Sequence, residues 1–316
     1  MDPIFTNAEM EPKSHIYDDV PRKRPGPAEQ SIFTGVRPKA WDVALNYVFY
    51  AAVIALIGGL IYYFYQFRDT VAVFFPTFLG GALTTIFLSV SSMILATIFG
   101  FIGALGRLSR FAPFRWIAAV YVEVVRGTPI LVQLFLWGFG ISPLLAQLGF
   151  DPYYMVYNLL TVLQNNTLIP NSLTPFVFDA VFYGIIGLSF NYGAYLTEVF
   201  RTGIESVPIG QTEAGLSLGL NSRQIRRHIV LPQAFRITIP PFANYFITLV
   251  QDSALLSTIG GVIELQETVT AAATVSASNP NLQLFFYVFG SLMFLAICYP
   301  LALLARFLEL RFSAAY

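Results

Sequence analysis

Residues 83–105 read LTTIFLSVSSMILATIFGFIGAL, and this stretch decides the fold. It has no Asp, Glu, Lys or Arg across 23 residues. A helix rises about 1.5 Å per residue, so about 20 apolar residues cross the hydrocarbon core of a bilayer. Length and absence of charge predict a membrane-spanning helix over 79–105. Ser and Thr recur in it, and Gly100, Gly103 and Gly106 give small faces for close helix packing. These glycines follow no strand, so they make no nucleotide-binding fingerprint.

The rest of the chain agrees. It has 316 residues, 56% of them hydrophobic and only 11% charged, with a mean hydropathy of +0.64. Soluble domains carry roughly 25% charged residues, so the solvent of this chain is lipid. The formal net charge is zero, which excludes a general attraction to nucleic acid or anionic surfaces. One cysteine, Cys298, forms no intramolecular disulfide and reads as a small buried hydrophobe. With two histidines beside it, no metal site is expected.

Outward from 79–105, further spans are expected at 44–65, 120–146, 176–200, 239–257 and 284–305. The third is interrupted by Gly127-Thr128-Pro129, and Pro240-Pro241 are expected to open the fifth. Residues 259–278 carry Glu264 and Glu267 and read as a helix at the outer surface or dipping partly inward, not as a span. The outer loop 143–175, with Asn165, Asn166 and Asn171, reads as an ordered elaboration. Residues 1–43 are polar, rich in Pro and charge, and without an early apolar core. They read as a cytosolic tail and not as a signal peptide. Positive residues gather on the cytosolic side of short loops. Here they fall in the tail, at Arg107, Arg110 and Arg115, between Arg201 and Arg236, and at Arg306 and Arg311; Arg68 alone lies opposite. The expected topology therefore has six spans and both termini in the cytosol.

One cytosolic loop is unusual. Residues 213–232 read EAGLSLGLNSRQIRRHIVLP. Pro208 suits a helix start, and Glu213 is expected in the early turns, where the helix dipole favours a negative charge. Gly215 and Gly219, four apart, would let another backbone approach, and Gly219 can end the helix in a left-handed conformation. Ile209, Leu216 and Leu220 offer an apolar edge, and Ile229 to Pro232 begin the return to the membrane. The loop reads as a lever fitted to a soluble motor, or as a plain loop whose basic residues obey topology.

The spacing of Glu213-Ala214-Gly215, Gly219 and Ile229-x-Leu231-Pro232 resembles the EAA loop of ATP-binding-cassette importer permeases. Residues 123–133, EVVRGTPILVQ, and 188–201, LSFNYGAYLTEVFR, are similar to signatures of the subfamily for polar amino acids such as histidine, glutamine, arginine and glutamate. The likeness covers about 75–312 and implies an all-α polytopic membrane protein: a five-helix, MetI-like permease core, with coupling loop 203–232, plus one extra N-terminal helix at 44–66 after the tail 1–43. It also implies a bacterial inner-membrane location, a homodimeric ATP-binding subunit that holds ATP and Mg, a second permease subunit, identical or homologous, and an extracytoplasmic solute-binding protein. The coupling residues would be Pro208, Gly210, Glu213, Ala214, Gly215, Gly219, Leu220 and Pro232. The chain departs from the pattern at Gly215, in place of the second alanine, and at Gln251, where a lysine is frequent.

Ionisable and polar groups at bilayer depth are candidate functional sites. Glu123 and Arg126, three apart, share a helix face and are expected to brace the break at Thr128-Pro129, where neighbouring polar groups must replace a lost backbone hydrogen bond. Asn191, Tyr195 and Glu198 are spaced for one face lining a pathway, partner contact or interhelix ladder. Asn244, Gln251 and Asp252 are polar positions on the fifth span, with Asp252 toward its outer end. No G-x4-G-K-[ST], H-E-x-x-H or G-x-S-x-G occurs. The chain is thus expected to hold no cofactor and no catalytic residues of its own. An ion-coupled secondary transporter and a non-transporting scaffold subunit are the competing readings.

Overall fold

The computed structural model describes residues 40–152, 154, 158, 161 and 175–313, and every regular element among them is helical. The expected tail, apart from its last four residues, and most of the 143–175 loop lie outside the described residues. The chain divides into two compact units, Met1–Arg68 and Asp69–Tyr316.

The first unit contributes α1, Ala40–Gln66, which is apolar on every side. A helix without a polar face suits lipid. Near its end the Tyr63 ring meets Phe67 edge-on at 5.1 Å, and the Arg68 guanidinium lies 4.9 Å over Tyr65.

The second unit is built from α2, Arg68–Arg107; α3, Ala112–Arg126; α4, Ile130–Phe135; a π-helical turn, Leu136–Ile141; and α5, Ser142–Gln147. Then come α6, Pro175–Glu205; α7, Ile209–Ser217; α8, Ser222–Ile225; a second π turn, Arg226–Val230; and α9, Leu231–Asp252. A 3₁₀ segment, Ser253–Ile259, α10, Leu265–Val275, and α11, Pro280–Ser313, complete it. Among the described residues, four helical stretches are long and apolar enough to cross a membrane: 44–66, 68–107, 130–147 and 280–312. The remaining two expected spans, α6 and α9, are more polar, and α6 has a physical reason to be. It is the central helix, largely enclosed by protein instead of lipid.

Two apolar clusters organise the core around α6. Met93, Ala96, Tyr192, Leu196 and Leu249 join α2, α6 and α9. Leu88, Leu134, Leu188, Leu256, Ile259 and Val262 lie on the side away from the 206–230 loop. The α2–α6 crossing is close enough that a Cβ on Gly103 would collide with Thr197, and one on Gly193 would lie 2.7 Å from Phe99 Cβ and from the Tyr121 hydroxyl.

One expectation needs correction. Pro240 and Pro241 do not open α9; they lie inside it, because the preceding π turn runs into the helix at Leu231 with Pro232 in its first turn. Extending a formed helix is cheaper than nucleating a new one, and packing on α6 offsets the proline interruptions. The short helix near 265, expected at the outer surface or dipping partly inward, takes the inward position: Leu265, Thr268, Val269, Ala272 and Ala273 are buried, with Gly81 of α2 and Gly290 of α11 packed against its side chains.

Candidate functional site

The break in the third span is a satisfied defect. Pro129 has no N–H, so carbonyls at the end of α3 lose partners. Thr128 Oγ1 donates to Val124 O at 2.9 Å. Gln133, one turn into α4, reaches back: its Nε2 donates to Val125 O at 2.7 Å, Thr128 O at 3.1 Å and Thr128 Oγ1 at 2.7 Å. Its Oε1 accepts from Asn191 Nδ2 of α6 at 3.1 Å. Gln133 therefore caps one helix and locks the break to the central helix.

This lock forms one wall of a cleft of about 460 Å³. Arg126, Thr128 and Pro129 line it from the break, Asn191, Tyr192 and Tyr195 from α6, and Tyr245, Thr248 and Asp252 from α9. The Tyr192 hydroxyl donates to Asp252 Oδ2 at 2.7 Å. The Arg126 guanidinium lies 5.3 Å over the Tyr195 ring, within cation–π range. The cleft thus carries a cation, a carboxylate and three tyrosines.

The other expected pathway residues lie elsewhere. Glu123 is exposed, and no ion pair joins it to Arg126 among the described residues. Arg126 instead turns to the tyrosine face. Glu198 shares a helical face with Tyr195 but belongs to an ionic cluster. Its Oε2 lies 2.6 Å from Arg201 Nη2, and its Oε1 is 3.4 Å from Arg107 Nε of α2; Arg201 also binds Glu205. Asn244 is exposed, and Gln251 faces a separate groove with Gln266, Ser291 and Cys298. Sequence reasoning passed over Gln133, Tyr245 and Thr248. A lone amide in an otherwise apolar run, such as Gln133, was the available signal.

The 206–230 loop is a self-capped unit. Pro208 is the N-cap of α7. Glu213 lies in the second turn and not the first, so the helix dipole contributes little to it. Gly219 has φ +76°, and the helix ends with Leu220 N donating to Gly215 O at 3.1 Å and Gly219 N to Leu216 O at 2.9 Å. This is a Schellman closure, which favours glycine. A Cβ at Gly219 would touch nothing within 4 Å, so its need is conformational. Gly215 is the buried one: a Cβ there would lie 3.0 Å from both Ile225 and Ile229, within the loop itself. Next, Asn221 Oδ1 accepts from Arg223 N and Gln224 N, while Gln224 Oε1 accepts from Asn221 N at 2.9 Å. That reciprocal cap starts α8. Gly210, Glu213 and Ala214 are exposed, Leu220 is half-buried and Pro232 is exposed in α9. Ile209 is 76% exposed and Leu218 80%, with Leu216 exposed between them, so a rigid loop presents apolar side chains outward.

Apolar helices around a polar cleft, with a stiff, cationic loop at one end, are the build of a membrane transport subunit. The chain belongs to the family of binding-protein-dependent transport system inner membrane components, whose model matches residues 96–314. It is 34% identical over 238 residues to the L-cystine transport system permease protein TcyB of Bacillus subtilis (strain 168), covering 75% of this chain and 87% of that protein. It is 30% identical over 239 residues to the glutamate/aspartate import permease protein GltK of Escherichia coli O157:H7, covering 75% and 93%. Among solved structures, an amino acid ABC transporter with histidines aligns with TM-score 0.57 and 28% identity, over 75% of this chain and 96% of that one. The inward-facing MetNI methionine ABC transporter aligns with TM-score 0.53 and 16% identity over 74% and 97%, a likeness of fold alone.

Proposed function

We propose that this chain is the permease subunit of an ATP-driven importer of polar amino acids. The carrying observation is the self-capped loop with Ile209, Leu216 and Leu218 exposed: a rigid apolar projection suits the groove of a soluble ATPase. In this reading Pro208, Gly210, Glu213, Ala214, Gly215, Gly219, Leu220 and Pro232 build the coupling unit. Six spans, α1, α2, the broken 112–147 segment, α6, α9 and α11, cross the inner membrane with both termini in the cytosol. ATP and Mg are held by a homodimeric ATP-binding subunit. A second permease, identical or homologous, completes the pathway, and an external binding protein delivers the solute.

The test is purification of the full chain in mild detergent with mass spectrometry of what accompanies it. A stoichiometric ATP-binding subunit is expected. Recovery of intact chain alone, under conditions that preserve comparable complexes, refutes the reading.

The cleft sets Arg126 and Asp252 on its rim, a charge pair complementary to the carboxylate and ammonium of an amino acid. Asp252→Asn is expected to raise KM for uptake at least about tenfold, the scale of one charged hydrogen bond. Proteoliposome uptake of a panel of polar amino acids measures it, and an unchanged KM removes Asp252 from the path.

A further inference from the structure

Glu264 is fully buried, and among the described residues the charge acting on it is that of Glu267 on its own helix. Its carboxylate is the N-cap of α10: Oε2 accepts from Gln266 N at 2.6 Å and Oε1 from Glu267 N at 2.8 Å. Thr85 Oγ1 of α2 donates to Oε2 at 3.3 Å and accepts from Leu265 N at 3.1 Å. One turn earlier, a Cβ on Gly81 would lie 2.6 Å from Thr268 Oγ1. One anion thus ties the start of α10 to the middle of α2.

What this tie holds is the segment 253–262. It leaves Asp252 at the cleft, packs Leu256 on Gly184 and Ile259 on Gly138, and ends at Gly260 and Gly261, with φ +77° and +76°. Leu256 and Val262 are fully buried in the core cluster beyond the cleft. The segment is therefore a buried plug of core on the side opposite the coupling loop, beyond the cleft and outside its lining, and a glycine pair leads from it to the anchored helix.

We infer that Glu264 is the positioning residue of the outer closure: its buried carboxylate latches α10 to Thr85 and so holds the 253–262 plug packed in the bundle beyond the cleft. The inference rests on the transport reading for its meaning, and on this chain's own contacts for its geometry. Burial raises the Glu264 pKa to about 7, against hydrogen bonds from Gln266, Glu267 and Thr85 that favour the anion. Of the elements packed around it, α2 offers Gly81 and Thr85, with charges only at its ends, the 3₁₀ segment has no charge, and α11 has Tyr287 with Arg306, Glu309 and Arg311 at its far end.

The test uses thiol labelling of the full chain in right-side-out vesicles, with Cys298→Ser throughout. Ser253→Cys probes the plug, since Ser253 is fully buried. Ala277→Cys, exposed beyond α10, is the outside reference, and Thr197→Cys, fully buried on α6, reports general loosening. Glu264→Gln is expected to raise labelling at 253 about tenfold relative to 277 and leave 197 shielded. Thr85→Val, which keeps the carboxylate, gives a smaller rise. Unchanged labelling at 253 in both variants overturns the latch, as does equal exposure of 197. Transport plays no part in these readouts. The external labelling of 277 checks topology separately, so a failed latch is distinct from a failed transport reading.

Discussion

Gln133→Leu is expected to reduce ATP-dependent uptake by at least about a hundredfold while the chain still inserts in the membrane. Leucine matches the volume of glutamine but removes every polar contact that Gln133 makes at the break. Val125 O keeps only the longer Thr128 hydroxyl bond, Thr128 O loses its side-chain donor, and Asn191 loses its acceptor. Thr128 keeps only its own hydroxyl bonds to Val124 and Val125. Each orphaned buried group costs about 1–3 kcal/mol. Two such losses amount to roughly 2–6 kcal/mol, enough to let α3 and α4 reorient and the cleft wall collapse. Proteoliposome uptake and thermal melting in detergent measure the two consequences. Normal uptake by this variant would show that the break is not held from Gln133.

The second large effect is expected at Gly219. Gly219→Val forces a β-branched residue into φ +76° and breaks the closure of α7. Left-handed conformation costs an ordinary residue roughly 1–2 kcal/mol, and more when the side chain is β-branched. The loop is expected to unwind at its tip, so ATP hydrolysis continues while uptake falls more than about tenfold. The series should be graded, with Asn mildest because it tolerates this region, then Ala, then Val. A graded series identifies the backbone as the cause, since a Cβ at 219 meets nothing within 4 Å among the described residues. Equal damage from Asn and Val would point instead to a partner pressed against that position.

These two positions show how far the sequence could be read. A polar loop with glycines at fixed offsets is a local pattern, and its caps follow from neighbours within six residues. The break was legible too, since Pro129 dictates it wherever the helix goes. What satisfies the break was not, because Asn191 is 58 residues from Gln133 and only the fold brings them together. Helical periodicity correctly placed Tyr195 and Glu198 near one another. It could not tell that Arg107, from another helix, would draw Glu198 into an ionic cluster. Hydropathy likewise favoured helices that face lipid. It still marked α6, whose neighbours are protein, and it left α10 open between the outer surface and an inward dip, because nothing local shows that backbone donors satisfy a buried Glu264.

The crossing at Gly193 gives α6 a mechanical character. A 31-residue helix is a stiff rod about 46 Å long. It is pinned where Gly193 leaves no room for a methyl group against Phe99 and Tyr121. Roughly 18 Å of the rod lies between that fulcrum and Glu205, and roughly 14 Å between it and Gly184. A rod pivoting there works as a seesaw: its two arms swing in opposite directions, in the ratio of their lengths. A push of about 4 Å at the loop end returns about 3 Å of opposite travel beside Leu256. The same stroke that draws one mouth of the bundle together would spread the other.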